Sequence, residues 1–203
     1  MNDIDKYVDK TLQHYENRAA AFWEGTKDHD VFQNYAALQT RLPQRSGMRI
    51  LDFGCGPGRD LKHFTTRNHI PTGIDGCETF CEMARDYSGC EVLCQNFCEL
   101  DLPDDEFDGI FANASLFHIP KKDFPRVLSE LYACLKKGGI LFSSNPRGHG
   151  ENFDGSRYGH YMEFDEYTKY VEAAGFTLVD HYYRPTGWPR EEQTWLAVVC
   201  QKI

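Results

Sequence analysis

The sequence predicts an α/β fold, doubly wound, with helices on both faces of a mainly parallel sheet. Three observations carry that prediction. Short apolar runs of strand length alternate with amphipathic helical stretches between residues 48 and 144. The first run, Met48–Phe53, feeds directly into a glycine cluster that opens a helix. The last two runs are separated only by Arg184–Gln193, a link short enough for an antiparallel return. Strands that alternate with helices need crossovers, and crossovers lay helices over both faces of a sheet.

The elements follow in order. Ile4, Val8, Leu12, Tyr15, Ala19 and Phe22–Trp23 recur at steps of three and four, which predicts a helix over 3–23. Val31, Tyr35 and Leu38 predict a second helix over 30–42, stopped at Pro43 because proline cannot continue a helix. Strands are expected at 48–53, 70–75, 91–95 and 107–113, with helices at 59–68 and 78–87 between the first three. An amphipathic stretch, 122–136, is expected to close at Gly138–Gly139, followed by a fifth strand over 139–144. Residues 145–163 read as a long irregular loop, and such loops in compact domains are usually functional. A helix over 164–174 ends at Gly175, and strands over 177–183 and 194–201 close the chain.

Composition narrows the function classes. The chain has 203 residues, 41% hydrophobic and 26% charged, as expected of one globular domain. No apolar run approaches the ~20 residues of a membrane span, and the charged start Met1–Lys6 lacks a signal-peptide core. A cytoplasmic protein with no membrane partner is expected. The net charge of −9 argues against nucleic acid as a partner, since phosphate binding needs clustered Lys and Arg. Lys121–Lys122 and Lys136–Lys137 are too short to change that reading. The eight cysteines contain no Cys-x-x-Cys pair, so neither a zinc framework nor a disulfide scaffold is expected. Cys55, Cys94 and Cys200 lie in apolar runs, where a thiol acts as a small hydrophobe.

Chemistry concentrates in Leu51–Asp60, LDFGCGPGRD. Glycines after a strand allow a sharp turn and let a ligand approach the backbone. A phosphate-binding P-loop needs Gly-x-x-x-x-Gly-Lys-Ser/Thr, and no such lysine follows. A dinucleotide fingerprint needs Gly-x-Gly-x-x-Gly, whereas Gly54, Gly56 and Gly58 fall one residue short. Asp52, ahead of the glycines, would repel a pyrophosphate and argues for a ligand with a cationic end. Asp75 ends the second strand, where an acid takes ribose hydroxyls. A ligand with a ribose, a positive charge and no phosphate is S-adenosylmethionine.

Four motifs in order carry a resemblance. They are Asp52–Gly58, Asp75 after Thr72–Ile74, Asn96–Phe97 with Leu102–Pro103, and Phe107–Asn113 with the Leu135–Phe142 run through Gly138–Gly139. On these, residues 45–203 resemble the class I S-adenosylmethionine-dependent methyltransferases, of the small type-11-like group. The resemblance implies a Rossmann-like sheet of seven strands with the last antiparallel, and a core at 45–203 behind an N-terminal helical lid at 1–44. It implies that Gly54, Cys55, Gly56 and Gly58 run along the methionine part and that Asp75 and Gly76 meet the ribose. Asn96 and Phe97 would flank the adenine, and Asn113 and Ala114 would meet the methionine end. Many relatives carry Asp where Asn96 stands. Tyr15 is expected over the cofactor, with Phe22 and Trp23 beside it and Trp23 toward the acceptor; the alternative is a helix stripe packed on the core.

For the acceptor, His118 borders the family's methyl position, as a residue of the reacting centre or as a structural histidine. Arg147, Tyr158 and Tyr161 fall in the loop after strand five, which faces the acceptor in the family. Arg147 suits a substrate carboxylate, or else a surface ion pair. Residues 182–193, rich in aromatics and charge, suit a pocket wall or a dimer contact. His118, or a carboxylate such as Glu163, is the expected proton acceptor. These features predict a methyltransferase, monomer or homodimer, acting on a small polar, amino-acid-derived acceptor without a metal. An amine or imidazole nitrogen is favoured, thiol- or selenol-histidine chemistry being one option. A carboxylate, oxygen or protein acceptor, a catalytically inactive cofactor-binding regulator and a nicotinamide oxidoreductase stay as alternatives.

Overall fold

The computed structural model describes residues 3–203, with side chains from Lys6 onward; Met1, Asn2 and the side chain of Ile4 lie outside the described residues. Seven strands form one sheet: β1 (Arg49–Phe53), β2 (Ile70–Asp75), β3 (Glu91–Cys94), β4 (Phe107–Asn113), β5 (Leu135–Pro146), β8 (Thr177–Arg184) and β9 (Trp195–Gln201). Their order is β3-β2-β1-β4-β5-β9-β8. β1 pairs in parallel with both β2 and β4, and β9 runs antiparallel to both β5 and β8. Six strands therefore share one direction and the last opposes them. The chain reverses its direction of winding at β1 and β4, and such a switch leaves a crevice at the carboxyl ends of those strands.

The helices are α1 (Asp3–Thr26), α2 (Phe32–Gln39), α3 (Arg59–Thr66), α4 (Glu78–Ser88), α5 (Phe124–Cys134) and α6 (Phe164–Ala173). On one sheet face Leu51, Ile74, Ile110 and Leu141 pack with Leu128 and Leu131 of α5 and Val171 of α6. On the other, Ile50, Phe111 and Phe142 pack with Tyr35 and Leu38 of α2 and Phe64 of α3. The central strands β1, β4, β5 and β9 thus bury both faces, which is why their residues read as apolar runs rather than alternating ones. α2 belongs to the covering layer of the sheet; α1 instead lies against α4 and the segment after β5.

Two expectations are corrected here. α5 ends at Cys134, not at the glycine pair, because Leu135 already pairs with Phe107 in the parallel ladder. The sheet captures the backbone of 135–137, and Gly138, at φ +80, donates its N–H to the carbonyl of Lys202 instead of stopping a helix. Residues 145–163 are not irregular throughout. They hold a hairpin of β6 (Gly150–Phe153) and β7 (Tyr158–Tyr161), turned by Asp154, whose Oδ1 accepts from the N–H groups of Ser156 and Arg157 at 2.8 Å. The fold also shows Cys94 exposed, while Cys55 and Cys200 are buried.

Candidate functional site

A cavity of about 710 Å³ opens at the carboxyl ends of β1, β2 and β4, where the order of winding reverses. Its size falls within the roughly 300–1,000 Å³ of small-molecule sites. The floor begins at the glycine loop. The N–H groups of Gly54 and Cys55 both donate to the Ile74 carbonyl, at 2.8 and 3.1 Å, which folds the loop back over β2. Gly54 has φ +80, and a Cβ there would stand 2.3 Å from the Ser115 Cβ. Only glycine fits where the β1 turn and the β4 turn cross.

Asp75 is the acid at the cavity floor. Its Oδ2 accepts from the Gly56 N–H and its Oδ1 from the Cys77 N–H, both at 3.0 Å. Burial pushes this carboxyl up to about 6, and the two backbone donors oppose that rise. Each oxygen keeps a free lone pair, so a diol can bond both. Beside it a Cβ on Gly76 would come within 2.8 Å of Leu12, so α1 closes tightly over this point.

The cavity lining also holds a fixed polar pair. Tyr15 Oη lies 2.8 Å from His118 Nε2, and His118 Nδ1 lies 2.7 Å from the Tyr158 carbonyl. A carbonyl only accepts, so Nδ1 carries the proton and Nε2 accepts from the tyrosine hydroxyl. Burial lowers His118 to about 4 despite the Tyr158 carbonyl, and the ring is neutral at ordinary pH. Burial also raises the Tyr15 hydroxyl above its usual value. Phe22 and Phe80 pack their rings on Tyr15 at 5.6 Å and hold it in place.

Of the residues expected from the sequence, Tyr15, Trp23, Gly54, Cys55, Gly56, Asp75, Gly76, Asn96, Phe97, Asn113, Ala114 and His118 line this one cavity. Asn96 already accepts the Cys98 N–H on its side-chain oxygen, at 2.9 Å. Trp23 also packs edge-on against Tyr87. Gly58 lies outside the wall; its missing side chain lets α3 approach α4, where a Cβ would meet Ala84 Cα at 2.9 Å. Asp52 is 1% exposed, behind the loop, with Oδ2 unpartnered. Burial, followed by the nearby Asp60, drives its carboxyl well above the ordinary range. Asp52 does not line the cavity, and the acid that ends a strand at its floor is Asp75.

The acceptor-side residues from the β5 loop are also placed differently. Arg147 does not reach the cavity: it forms a bidentate pair with Glu163, from 2.9 to 3.0 Å, and donates to the Gln193 carbonyl at 2.6 Å. The same pairing withdraws Glu163 from proton transfer. Tyr158 turns its hydroxyl to Glu151 and contributes to the site through its carbonyl, while Tyr161 packs near Phe117 and Gly148 outside the wall. The hairpin instead sends Arg157 into the cavity, beside Tyr15. Arg184 and Pro185 of the 182–193 stretch also line the cavity, while sequence reading missed Arg157, His29, Asp30, Arg59, Asp60 and Trp195, which line it too. For the missed residues the available signal was Arg59–Asp60 directly behind the glycines.

A family profile described as a methyltransferase domain matches residues 50–139. Those residues hold the glycine loop, Asp75, Asn96, Asn113 and His118. The profile match and the methyltransferase folds of similar solved structures support a class I S-adenosylmethionine-dependent methyltransferase. A curated relative, the sterol 24-C-methyltransferase of Yarrowia lipolytica, is 29% identical over 134 residues, covering 61% of this chain and 33% of its own length. The chain thus spans about a third of such relatives. Among solved structures, an S-adenosylmethionine-dependent methyltransferase of Leishmania major aligns over 97% of this chain and 83% of its own, with a TM-score of 0.79 and 18% identity. The 1,6-didemethyltoxoflavin-N1-methyltransferase of Burkholderia thailandensis aligns over 94% and 88%, with a TM-score of 0.67 and 21% identity. In this family fold, no helix among the described residues is long and apolar enough to cross a membrane.

Proposed function

We propose that this chain is an S-adenosylmethionine-dependent methyltransferase for a small polar, amino-acid-derived acceptor, with transfer to a nitrogen. The observation that carries it is the cavity itself. A glycine loop, a buried carboxylate with two free lone pairs and a Tyr–His pair face one another across a space of small-molecule size. The 1,6-didemethyltoxoflavin-N1-methyltransferase, whose structure holds S-adenosylhomocysteine, supports the cofactor part of this reading by fold.

When bound, S-adenosylmethionine supplies an electrophilic methyl on a sulfonium, with a neutral thioether as leaving group. Asp75 would hold the ribose diol through the two lone pairs that Gly56 and Cys77 leave free. The backbone of Gly54–Gly56 would lie along the methionine part, and Asn96 and Phe97 would border the adenine. α1 forms the lid, excluding water with Leu12, Tyr15, Phe22 and Trp23. Alignment of donor and acceptor in such an enclosed site accounts for about 7–11 kcal/mol of barrier lowering. Tyr15 donates to His118, so its oxygen has a lone pair for an acceptor N–H and fixes the direction of the attacking nitrogen. His118, neutral and poorly basic, sets the orientation of Tyr15 rather than storing a proton.

The test combines calorimetry with S-adenosylhomocysteine and a panel of amines, imidazoles, carboxylates and hydroxy compounds read by S-adenosylhomocysteine release. Expected are tight cofactor binding and turnover on nitrogen acceptors. Tyr15→Phe should leave S-adenosylhomocysteine affinity within a few-fold and lower kcat about 10²-fold. Binding without any turnover would favour the regulatory alternative, and turnover on protein or RNA alone would sink the small-molecule reading.

A further inference from the structure

Six charged side chains of Arg and Asp line the cavity: Arg59, Arg157 and Arg184, and Asp30, Asp60 and Asp75. Four of them are accounted for. Arg59 forks onto Asp60 through Nε and Nη2, at 2.7 and 2.9 Å, and Tyr35 donates to the same carboxylate. Arg157 faces Asp154 at 3.8 Å and lies beside Tyr15. Asp75 is held by the Gly56 and Cys77 N–H groups.

Asp30 and Arg184 remain. Among the described residues, Asp30 accepts the Phe32 N–H on Oδ1, at 2.9 Å, and no other hydrogen bond to its carboxylate. Among the same residues the Arg184 guanidinium donates to the backbone carbonyl of Asp30, at 3.4 Å, and no carboxylate forms an ion pair with it. The two elements that carry these groups therefore touch, yet the opposite charges do not pair. Arg184 stands at the end of β8, directly across from Trp195 of β9, and Trp195 also lines the cavity. Asn113 completes this end. Its oxygen accepts from Asn34, which in turn is held by Tyr182, leaving the Asn113 amide N–H groups for a ligand.

Resting on the methyltransferase reading, we propose that Asp30 and Arg184 form the acceptor subsite and select an amino-acid zwitterion. Arg184 takes the carboxylate in two parallel hydrogen bonds and Asp30 takes the ammonium. An ammonium paired with a carboxylate keeps its proton and has no lone pair for attack. The methylated atom is therefore a side-chain nitrogen and not the α-nitrogen. In the transfer that nitrogen's lone pair forms the new N–C bond and the S–C electron pair stays with the thioether sulfur; the proton that leaves to solvent comes from the same nitrogen in an amine and from the other ring nitrogen in an imidazole.

The test uses matched probes: L-histidine against histamine, and L-lysine against cadaverine, with S-adenosylmethionine as donor. The intact protein should favour the zwitterion of the accepted pair at least tenfold in kcat/KM. Arg184→Gln should raise the KM for the zwitterion at least tenfold and leave the amine's KM unchanged, Asp30→Asn should raise the KM of both, and both variants should keep S-adenosylhomocysteine affinity within twofold. That retained affinity shows both variants folded. Fragment-ion mass spectrometry should place the methyl group on the side chain. Equal use of zwitterion and amine, an unchanged ratio in Arg184→Gln, no turnover of either zwitterion, or α-N-methyl product overturns the subsite. Absence of S-adenosylhomocysteine binding to the unmodified protein would instead overturn the methyltransferase reading beneath it.

Discussion

At Asp75 two effects oppose each other and the balance is measurable. Desolvation favours the neutral acid, while the Gly56 and Cys77 N–H groups favour the carboxylate, and burial wins, lifting the group to about 6. Ribose hydroxyls donate to the ionised form. Binding is therefore at full strength above about pH 6 and requires loss of a proton below it. S-adenosylhomocysteine affinity measured by calorimetry between pH 5 and 8 should be flat above 7 and weaken below 6, approaching tenfold per pH unit. The same acid limb should disappear in Asp75→Asn, whose overall affinity is lower. His118 does not produce this limb, because burial holds it at about 4, below the range scanned. Affinity that stays flat from pH 8 down to 5 in the unmodified protein, or an acid limb that persists in Asp75→Asn, would show that Asp75 is not the titrating group.

Between residue and sheet, the site depends on how α1 meets the β6–β7 hairpin. Thr11 of α1 accepts the Tyr158 N–H at 2.8 Å while donating to the Tyr7 carbonyl, and Tyr7 stacks on Phe153 at 4.4 Å. Tyr158 in turn presents its carbonyl to His118. One hydroxyl therefore couples the lid helix, the hairpin and the Tyr15–His118 pair. Thr11→Val keeps the shape and removes the acceptor, leaving a buried N–H unpaired at about 1–3 kcal/mol. Hydrogen exchange should speed up in the hairpin and in α1 but not in β1, β4 or β5, and kcat should fall more than cofactor affinity. Uniform acceleration across the sheet would show that Thr11 acts on global stability alone. None of this was legible in the sequence. A hairpin of four-residue strands carries Gly, Asn and His rather than an apolar period, and its partner Thr11 lies on a different element 147 positions away.

For the whole molecule, legibility follows the physics of burial. Strands buried on both faces left apolar runs and glycines marked turns that no other residue could make, so the strands and many of the residues that line the cavity could be read from the sequence. Charged residues carry no period, so Asp30, Arg157 and Arg184 meet at the cavity only through the packing of three distant segments. Asp52 shows the converse, a charge whose place in the motif was legible while its burial was not. The cavity lies between the rigid sheet edge and α1, which is tied down at its far end by Glu16 to Thr79 and by the Thr26 carbonyl to Arg59. A ligand filling that space contacts the folded state only, so binding and stability are linked. At S-adenosylhomocysteine one hundred times its Kd, the linkage is worth about 2.7 kcal/mol. For a chain of this length that corresponds to a rise in Tm of roughly 5–11 °C. The rise should vanish in Asp75→Ala, persist in Arg184→Gln, and be accompanied by slower hydrogen exchange in α1. A Tm rise with unchanged exchange in α1 would mean that the ligand binds without the helix closing over it, and would remove α1 from the role of lid.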